Sequence, residues 1–308
     1  MKRSFLTIAF FVVLSANLVA GEPAGKRYVI IHADDAGMSH SVNVATIQAL
    51  EEGIVSSTSI MVPCPWFPEF AAYAKEHPEK DYGIHLTLNA EWDHYRWGPV
   101  APRDKVPSLV DDDGYLWDNT QQVAANAKAE EVAVELRAQV LRAKKFGVPL
   151  SHLDTHMGSC LVRPDLIEVY IKLGLEFDLP VLFMRPTEGS RVLKEYPAAA
   201  RFVPLLDKNS MPILDDVFQF YDRRPHEERM ATYLETLRTL KPGVREIIIH
   251  CGLDNQELRA ITSSVTTRAD DRRIFTDPEV MAEVKKMGVE VITWKKFRAM
   301  NDAKTASR

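Results

Sequence analysis

The sequence has little of what marks several large classes of protein. Its 308 residues include three cysteines, at positions 64, 160 and 251, which excludes a dense disulfide framework and leaves at least one thiol unpaired. The formal net charge of −5 offers no basic patch for binding nucleic acid. There is no low-complexity tract and no repeat of solenoid period. The composition is that of a globular protein, and the chain is long enough for one large α/β domain or two small ones.

Long apolar runs are scarce, and the one that exists lies at the N-terminus. Lys2 and Arg3 precede a mostly apolar stretch from Phe5 to Ala20. This layout predicts a signal peptide over residues 1–20 and a periplasmic or secreted protein. An uncleaved membrane anchor is the alternative for the same segment. No later stretch is apolar and long enough to span a bilayer, so we expect no membrane contact after cleavage.

Apolar runs of strand length alternate with helix-like stretches along the rest of the chain. The strand-like runs are 28–33, 57–62, 82–88, 150–155, 181–184, 246–250 and 289–293. The helix-like stretches are 42–52, 67–76, 130–146, 165–173, 225–240 and 277–287. Repeated β-then-α units imply parallel strands with helices outside. About seven units predict an α/β fold that forms a closed or nearly closed barrel, with its chemistry at the carboxyl ends of the strands.

Histidines and aspartates stand at the ends of four of these runs. They are His32, Asp34, Asp35, His85, His152, Asp154, His156 and His250. Residues two apart on a strand share a face, so His152, Asp154 and His156 should point the same way. Burying such groups unpaired is costly, which favours a metal or proton-transfer site. A single histidine could instead be a core residue bonded to a carbonyl, but four coinciding strand ends make that a poor account of the set.

One carboxylate and two imidazoles could form a metal site at the carboxyl ends of the predicted strands. Asp35, His85 and His156 would supply them, a set that suits Zn²⁺ or another divalent ion. Asp34 could then accept a proton from water activated by that ion. The alternative for the Asp34–Asp35 pair is a helix cap or an Asx turn. A Cys251–His250 nucleophile is disfavoured, because adjacent residues on a strand face opposite ways.

Five ordered motifs resemble those of the YdjC/ChbG-like carbohydrate deacetylases. They are residues 32–39 with 42–43 and 53–59, residues 83–88, residues 107–111 with 113–114, residues 151–156, and residues 250–252. The resemblance covers residues 27–298, which we take as one deacetylase-like domain, and leaves 299–308 as a C-terminal tail. It implies a single-domain, incomplete or distorted TIM-like barrel. Members of the family suggest a homodimer.

The resemblance also implies a role for each candidate residue. One divalent ion, Mg²⁺ or Zn²⁺, would be held by Asp35, His85 and His156, with Asp34 as general base and His250 as general acid. A further group would orient ligands or contact substrate, namely His32, His152, Asp154 and Arg185. The implied partner is an N-acetylated sugar or oligosaccharide.

This chain departs from the family pattern around the substrate rim. His32 stands where the family more often has Asn, Ala36 where an aromatic is usual, and Cys251 where Pro follows the late histidine. Two other functions therefore stay open: an esterase or amidase acting on other acylated glycans, and a glycan-binding protein without catalysis. The Trp-containing stretch 89–119 suggests an ordered lid or a surface for stacking sugars, or else plain loop packing.

Overall fold

A computed structural model describes residues 25–187, 193–194 and 197–306, so the predicted signal peptide lies outside the described residues. In chain order, β1 to β7 are Arg27–Ala36, Ser57–Ile60, Tyr82–Leu86, Leu150–Thr155, Asp216–Gln219, Gly243–Ile249 and Glu290–Val291. The helices α1 to α6 are His40–Glu52, Phe67–Glu76, Thr120–Asn126, Ala129–Lys145, Pro164–Phe177 and Val203–Lys208. The helices α7 to α11 are His226–Arg238, Gln256–Ile261, Val265–Thr276, Pro278–Lys286 and Trp294–Ala306.

The strands form one parallel sheet in the order β4-β3-β2-β1-β6-β5, and β7 pairs with β1. The regular strands leave a gap between β4 and β5. Isolated bridges cross that gap, one joining Leu153 to Val181 and the other joining Met184 to Leu214. The predicted α/β fold with a distorted, incomplete barrel is thus confirmed.

The segment 181–184 differs from its prediction as a strand. Leu182 bonds to Leu153 on one side, whereas the carbonyl of Phe183 accepts from Leu214 on the other. The segment therefore changes partner within a few residues, and no continuous ladder forms. The predicted tail also differs, because α11 runs through most of it, as far as Ala306.

Besides α11, two stretches after β6 are helical although the sequence pattern did not predict them. They are α8 and α9, and α9 buries charged side chains such as Arg268 and Asp271. A helix that buries charged side chains has no apolar stripe. The spacing of hydrophobic residues therefore does not predict it. No helix in the described part of the chain is long and apolar enough to cross a membrane.

The alternation of side chains along β1 explains where the polar residues go. Val29, Ile31 and Ala33 belong to the main core, whereas Ile30 packs in a separate buried cluster with Trp294. His32 and Asp34 follow Ile30 at intervals of two, so they share its face. The adjacent strands present Ser57, Ser59, His85, His152, Asp154 and Glu246, all buried, around that face. The barrel interior is therefore polar beneath its mouth.

Candidate metal centre

The β1–α1 connection brings two consecutive carboxylates to the mouth of the barrel. Asp34 and Asp35 both line the cleft there. Neighbouring strand residues normally point to opposite faces, but Asp35 has a φ of 68°, in the left-handed region. Gly37 continues the turn with a φ of 85°, and Ser39 caps α1 by accepting from the N–H of Val42. This backbone turn lets both carboxylates serve one site.

Asp35, His85 and His156 converge as the sequence predicted. Their ligand atoms all lie within 4.8 Å of one another. Asp35 Oδ1 is 3.4 Å from His85 Nε2 and 3.3 Å from His156 Nδ1. That oxygen is buried and has no hydrogen-bond partner. An orphaned carboxylate oxygen facing two imidazole nitrogens fits a divalent cation, and these residues could hold one.

Each imidazole is fixed by a carboxylate on its other nitrogen. His85 Nδ1 donates to Asp154 Oδ1 at 2.8 Å. His156 Nε2 lies 3.0 and 3.1 Å from the two oxygens of Glu91. This arrangement leaves His85 Nε2 and His156 Nδ1 free to face a metal, in the way that outer carboxylates orient metal-binding histidines. Glu91, three residues beyond the strand-like run 82–88, was not among the candidates from sequence.

Arg268 is a second residue that sequence analysis missed. Its Nη2 donates to Asp35 Oδ2 at 2.6 Å, and its side chain is 2% exposed. The guanidinium lies over the ring of Tyr221, with 5.6 Å between the guanidinium carbon and the ring centroid. Asp35 is therefore held by one oxygen while the other faces the two imidazoles.

The charges around the cluster set its protonation. Burial alone would raise the pKa of Asp35, but the Arg268 guanidinium and nearby imidazoles hold it well below its usual range. Burial opposes protonation of His156, yet Glu91 and Asp35 raise its pKa to about 10. For His85 burial is likewise outweighed, by Asp34 and Asp154, and the pKa is raised. Without a cation, the imidazoles take up protons to balance the carboxylates.

Asp34 stands beside this cluster and faces His250. Its Oδ2 is 3.8 Å from His85 Nε2 and 3.8 Å from His250 Nε2. The backbone N–H of His250 donates to Asp271 Oδ2 at 2.9 Å, and its ring lies against Tyr221 at 4.4 Å between centroids. Burial lowers the pKa of His250 to about 4, so its imidazole is neutral near pH 7. The roles of general base and general acid remain predictions.

The other candidates fall into two groups. His32 and His152 lie inside the barrel beneath Asp34, both fully buried, with ring centroids 5.1 Å apart. Arg185 instead makes an exposed ion pair with Asp207, with 2.8 Å between Nη2 and Oδ1. It is not among the described residues that line the cleft. Sequence reasoning placed Arg185 after a strand that the structure does not form, so its side chain leaves the site.

The cleft above the cluster has a volume of about 560 Å³. Trp92 and Tyr221 contribute aromatic surface to its wall, and a further set is apolar, namely Leu161, Leu182, Met184, Val217 and Ile248. Of the other two tryptophans in the loop, Trp97 is buried and Trp117 donates to the carbonyl of Ser108. The cleft has the size and mixed lining of a small-ligand site.

The three cysteines are free and buried. Burial raises the pKa of the Cys251 thiol far above neutrality, so it stays protonated and is a poor nucleophile. The structure thus gives no support to a Cys–His nucleophile at His250.

Fold and site together define a class: a parallel α/β barrel with a buried carboxylate–histidine centre at the carboxyl ends of its strands. A family model described as YdjC-like protein matches residues 28–286, and the chain belongs to this family. The chain is 34% identical over 276 residues to a carbohydrate deacetylase of Thermus thermophilus. The aligned region covers 89% of this chain and 95% of that protein.

Two further relatives agree over nearly the same length. A carbohydrate deacetylase of Thermoanaerobacter pseudethanolicus is 27% identical over 84% of this chain and 94% of its own. A solved protein of Enterococcus faecalis, described as a candidate cellobiose-phosphate cleavage protein, superposes with a TM-score of 0.74 at 27% identity. That match covers 88% of this chain and 98% of the solved one. The shared architecture therefore extends over the whole barrel.

Proposed function

We propose that this protein is a metal-dependent hydrolase that removes acetyl groups from N-acetylated sugars or oligosaccharides. The proposal is supported by relatives named carbohydrate deacetylases, over most of the chain's length. The observation that carries it is the placement of Asp34, whose Oδ2 lies 3.8 Å from the candidate ligand His85 and 3.8 Å from His250. A protein that only bound sugar would have no need of a carboxylate there.

Asp35, His85 and His156 would hold the divalent cation, Zn²⁺ or Mg²⁺. The cation, when bound, would polarise the amide carbonyl and lower the pKa of a neighbouring water. Arg268 keeps Asp35 ionised and fixed, and the outer carboxylates of Asp154 and Glu91 hold the imidazoles in one orientation. The protein thus supplies a rigid ligand set before substrate arrives.

Asp34 and His250 account for the protons of the reaction. The water oxygen bonds to the carbonyl carbon while Asp34 takes the proton that the water loses. His250 is neutral near pH 7, because burial lowers its pKa to about 4. It can therefore receive that proton from Asp34, 3.8 Å away, and deliver it to the leaving nitrogen as the C–N bond breaks. The products are acetate and a free amino sugar.

The substrate would lie in the 560 Å³ cleft above these groups. Trp92 offers a ring on which a sugar face could stack, and the apolar wall would accept the acetyl methyl group. On the basis of its N-terminal pattern, we place the activity in the periplasm or outside the cell. A homodimer is the assembly that we expect from the family resemblance.

The test is acetate release from N-acetylated oligosaccharides, measured with and without a chelator. We expect release to stop when metal is stripped and to return with Zn²⁺ or Mg²⁺. Asp34→Asn should lower the rate by about 100-fold or more, as loss of a general base does. Asp112→Asn, which changes an exposed aspartate, is the matched control and should leave the rate unchanged.

A panel of O-acetylated and N-acetylated glycans separates the remaining functions. Turnover of the O-acetyl members alone would make the protein an esterase. Binding without any turnover would make it a glycan-binding protein. Full acetate release by the chelated protein or by Asp34→Asn would refute the mechanism.

A further inference from the structure

His32 occupies an unusual position in the middle of the barrel. Its side chain is fully buried beneath the cleft. Its Nε2 lies 3.1 Å from Asp34 Oδ1 and 3.0 Å from Asp154 Oδ2, so one nitrogen stands between two carboxylates. Asp34 is the proposed base, and Asp154 is the group that orients His85. His32 thus touches both halves of the site without being one of the candidate metal ligands.

Each ring nitrogen of His32 also meets a serine hydroxyl. Nδ1 is 3.0 Å from Ser57 Oγ, and Nε2 is 3.1 Å from Ser59 Oγ. A hydroxyl has one proton to donate. If a serine donates that proton to another group, it can only accept a hydrogen bond from the imidazole. The hydrogen bonds around the two serines therefore report the protonation of His32.

Ser57 donates its hydroxyl proton to Asp81. Its Oγ donates to Asp81 Oδ1 at 2.8 Å, and the backbone N–H of Lys295 donates to Asp81 Oδ2 at 2.9 Å. With a donor at each oxygen, the Asp81 carboxyl group acts as an acceptor toward Ser57. Ser57 can then only accept from His32, so Nδ1 carries a proton.

Ser59 donates its hydroxyl proton to Asp34. Its Oγ lies 3.3 Å from Asp34 Oδ1 and 3.2 Å from His85 Nδ1. His85 Nδ1 already donates to Asp154 at 2.8 Å, so it cannot accept from Ser59. Asp34 is the remaining carboxylate acceptor for Ser59. His32 Nε2 faces oxygens of Asp34 and Asp154 as well as Ser59, and these oxygens need a donor. Nε2 therefore carries a proton as well.

The charges that face His32 from the surrounding strands agree with this count. Asp34 lies on β1, Asp154 on β4 and Glu246 on β6, and all three carboxyl groups favour a cation here. Burial opposes it. The neighbouring His152 adds no opposing charge, because burial and His32 hold its own pKa well below the usual value. The net effect is to raise the pKa of His32 well above its usual value, although burial by itself would lower it.

We propose that His32 is a buried imidazolium that acts as a positioning residue, holding the carboxylate of Asp34 directly and the imidazole of His85 through Asp154. The role in catalysis rests on the proposed function, whereas the charge state does not. His32, His152 and Asp154 also have ligand atoms within 4.8 Å of one another. A protonated imidazole cannot ligate a metal, so the proposal excludes a second cation at that place.

The charge state is tested by nitrogen NMR on the full chain labelled with ¹⁵N-histidine and loaded with Zn²⁺. The signals lost in His32→Asn, or in His32→Gln if the first variant does not fold, belong to His32. We expect attached protons on both ring nitrogens from about pH 6 to about pH 9, where an ordinary histidine has become neutral. A single attached proton, or titration near pH 6.5, would overturn the proposal. The result does not depend on any enzymatic activity.

The positioning role is tested with the same variants and acetate release. His32→Asn should lower kcat by about 10- to 100-fold with little change in KM, as loss of an outer group does. Metal content, measured by mass spectrometry, should stay at one Zn²⁺ per chain in wild type and variant. A full kcat in the variant, or two Zn²⁺ ions in the wild type, would contradict the assignment. Failure of the wild type to release acetate would count against the proposed function alone.

Discussion

Binding of a divalent cation at this centre should expel up to two protons, because both candidate histidine ligands have raised pKa values. Without a cation, Glu91 and Asp35 raise the pKa of His156 to about 10, and the pKa of His85 is also raised. The imidazole of His156 is therefore charged near neutral pH, and that of His85 keeps its proton to a higher pH than usual, yet a metal ligand must be neutral. Each cation that enters should displace up to two protons.

The pH dependence of metal affinity follows with a definite sign. A ligand with a raised pKa competes with the metal below that pKa, so affinity falls as the pH falls. His156 alone contributes about one decade of affinity per pH unit through the neutral range, because its pKa is about 10. His85 adds up to a second decade where it is also charged. The affinity for Zn²⁺ should then drop by about 10- to 100-fold from pH 8 to pH 7.

Calorimetric titration with Zn²⁺ in buffers of different ionisation enthalpy measures the protons released. The Asp112→Asn variant is a matched control, since it changes an exposed aspartate outside the cluster and should release the same number. No proton release, together with equal affinity at pH 7 and pH 8, would refute this account of the centre.

Three further predictions concern single side chains. Glu91→Gln should weaken Zn²⁺ binding by about 10- to 100-fold, because the amide no longer holds His156 as a carboxylate does; equal affinity would show that Glu91 is a bystander. Burial raises the pKa of Glu246 to about 8, so the folded state holds a proton that the unfolded chain loses near pH 4.5, and stability falls as the pH rises toward 8. Wild type should lose about 2 kcal/mol of stability between pH 6 and pH 8 in urea unfolding, and Glu246→Gln should not; parallel pH curves for variant and wild type would contradict this. Gly83→Ala would place a Cβ in a steric clash with the His152 ring, so it should destabilise the fold by about 1–3 kcal/mol, and an unchanged melting temperature would argue against that packing.

The convergence of Asp35, His85 and His156 could be predicted from sequence because it depends on the strands alone. Each residue ends or follows a strand, and parallel neighbours bring their carboxyl ends to one mouth. The pairing of β1 with β2, β2 with β3 and β3 with β4 then places the three side chains near one another. Alternation along β4 likewise predicts that His152 and Asp154 share a face.

Glu91 and Arg268 could not be predicted in this way. Glu91 lies in an irregular loop, whose path depends on packing rather than on a local pattern. Arg268 lies on a helix that buries charge, and it meets Asp35 across 233 residues of sequence. A lone arginine in a polar stretch looks like any solvated residue until tertiary contacts are known. The site residues missed are those that no strand end presents.

The polar interior of the barrel also explains why the centre is rigid. Burying His32, Asp154 and Glu246 unpaired would cost several kcal/mol each, so they are tolerated only as a connected set. Each member has a neighbour that fixes its place. His32 lies between two carboxylates, Asp154 accepts from His85 Nδ1 at 2.8 Å, and Glu246 accepts from the Trp294 indole N–H at 2.8 Å. A network of this kind cannot relax one group without uncovering another. The cost of burying charge beneath the mouth is therefore what holds Asp34 and His85 in a single geometry above it.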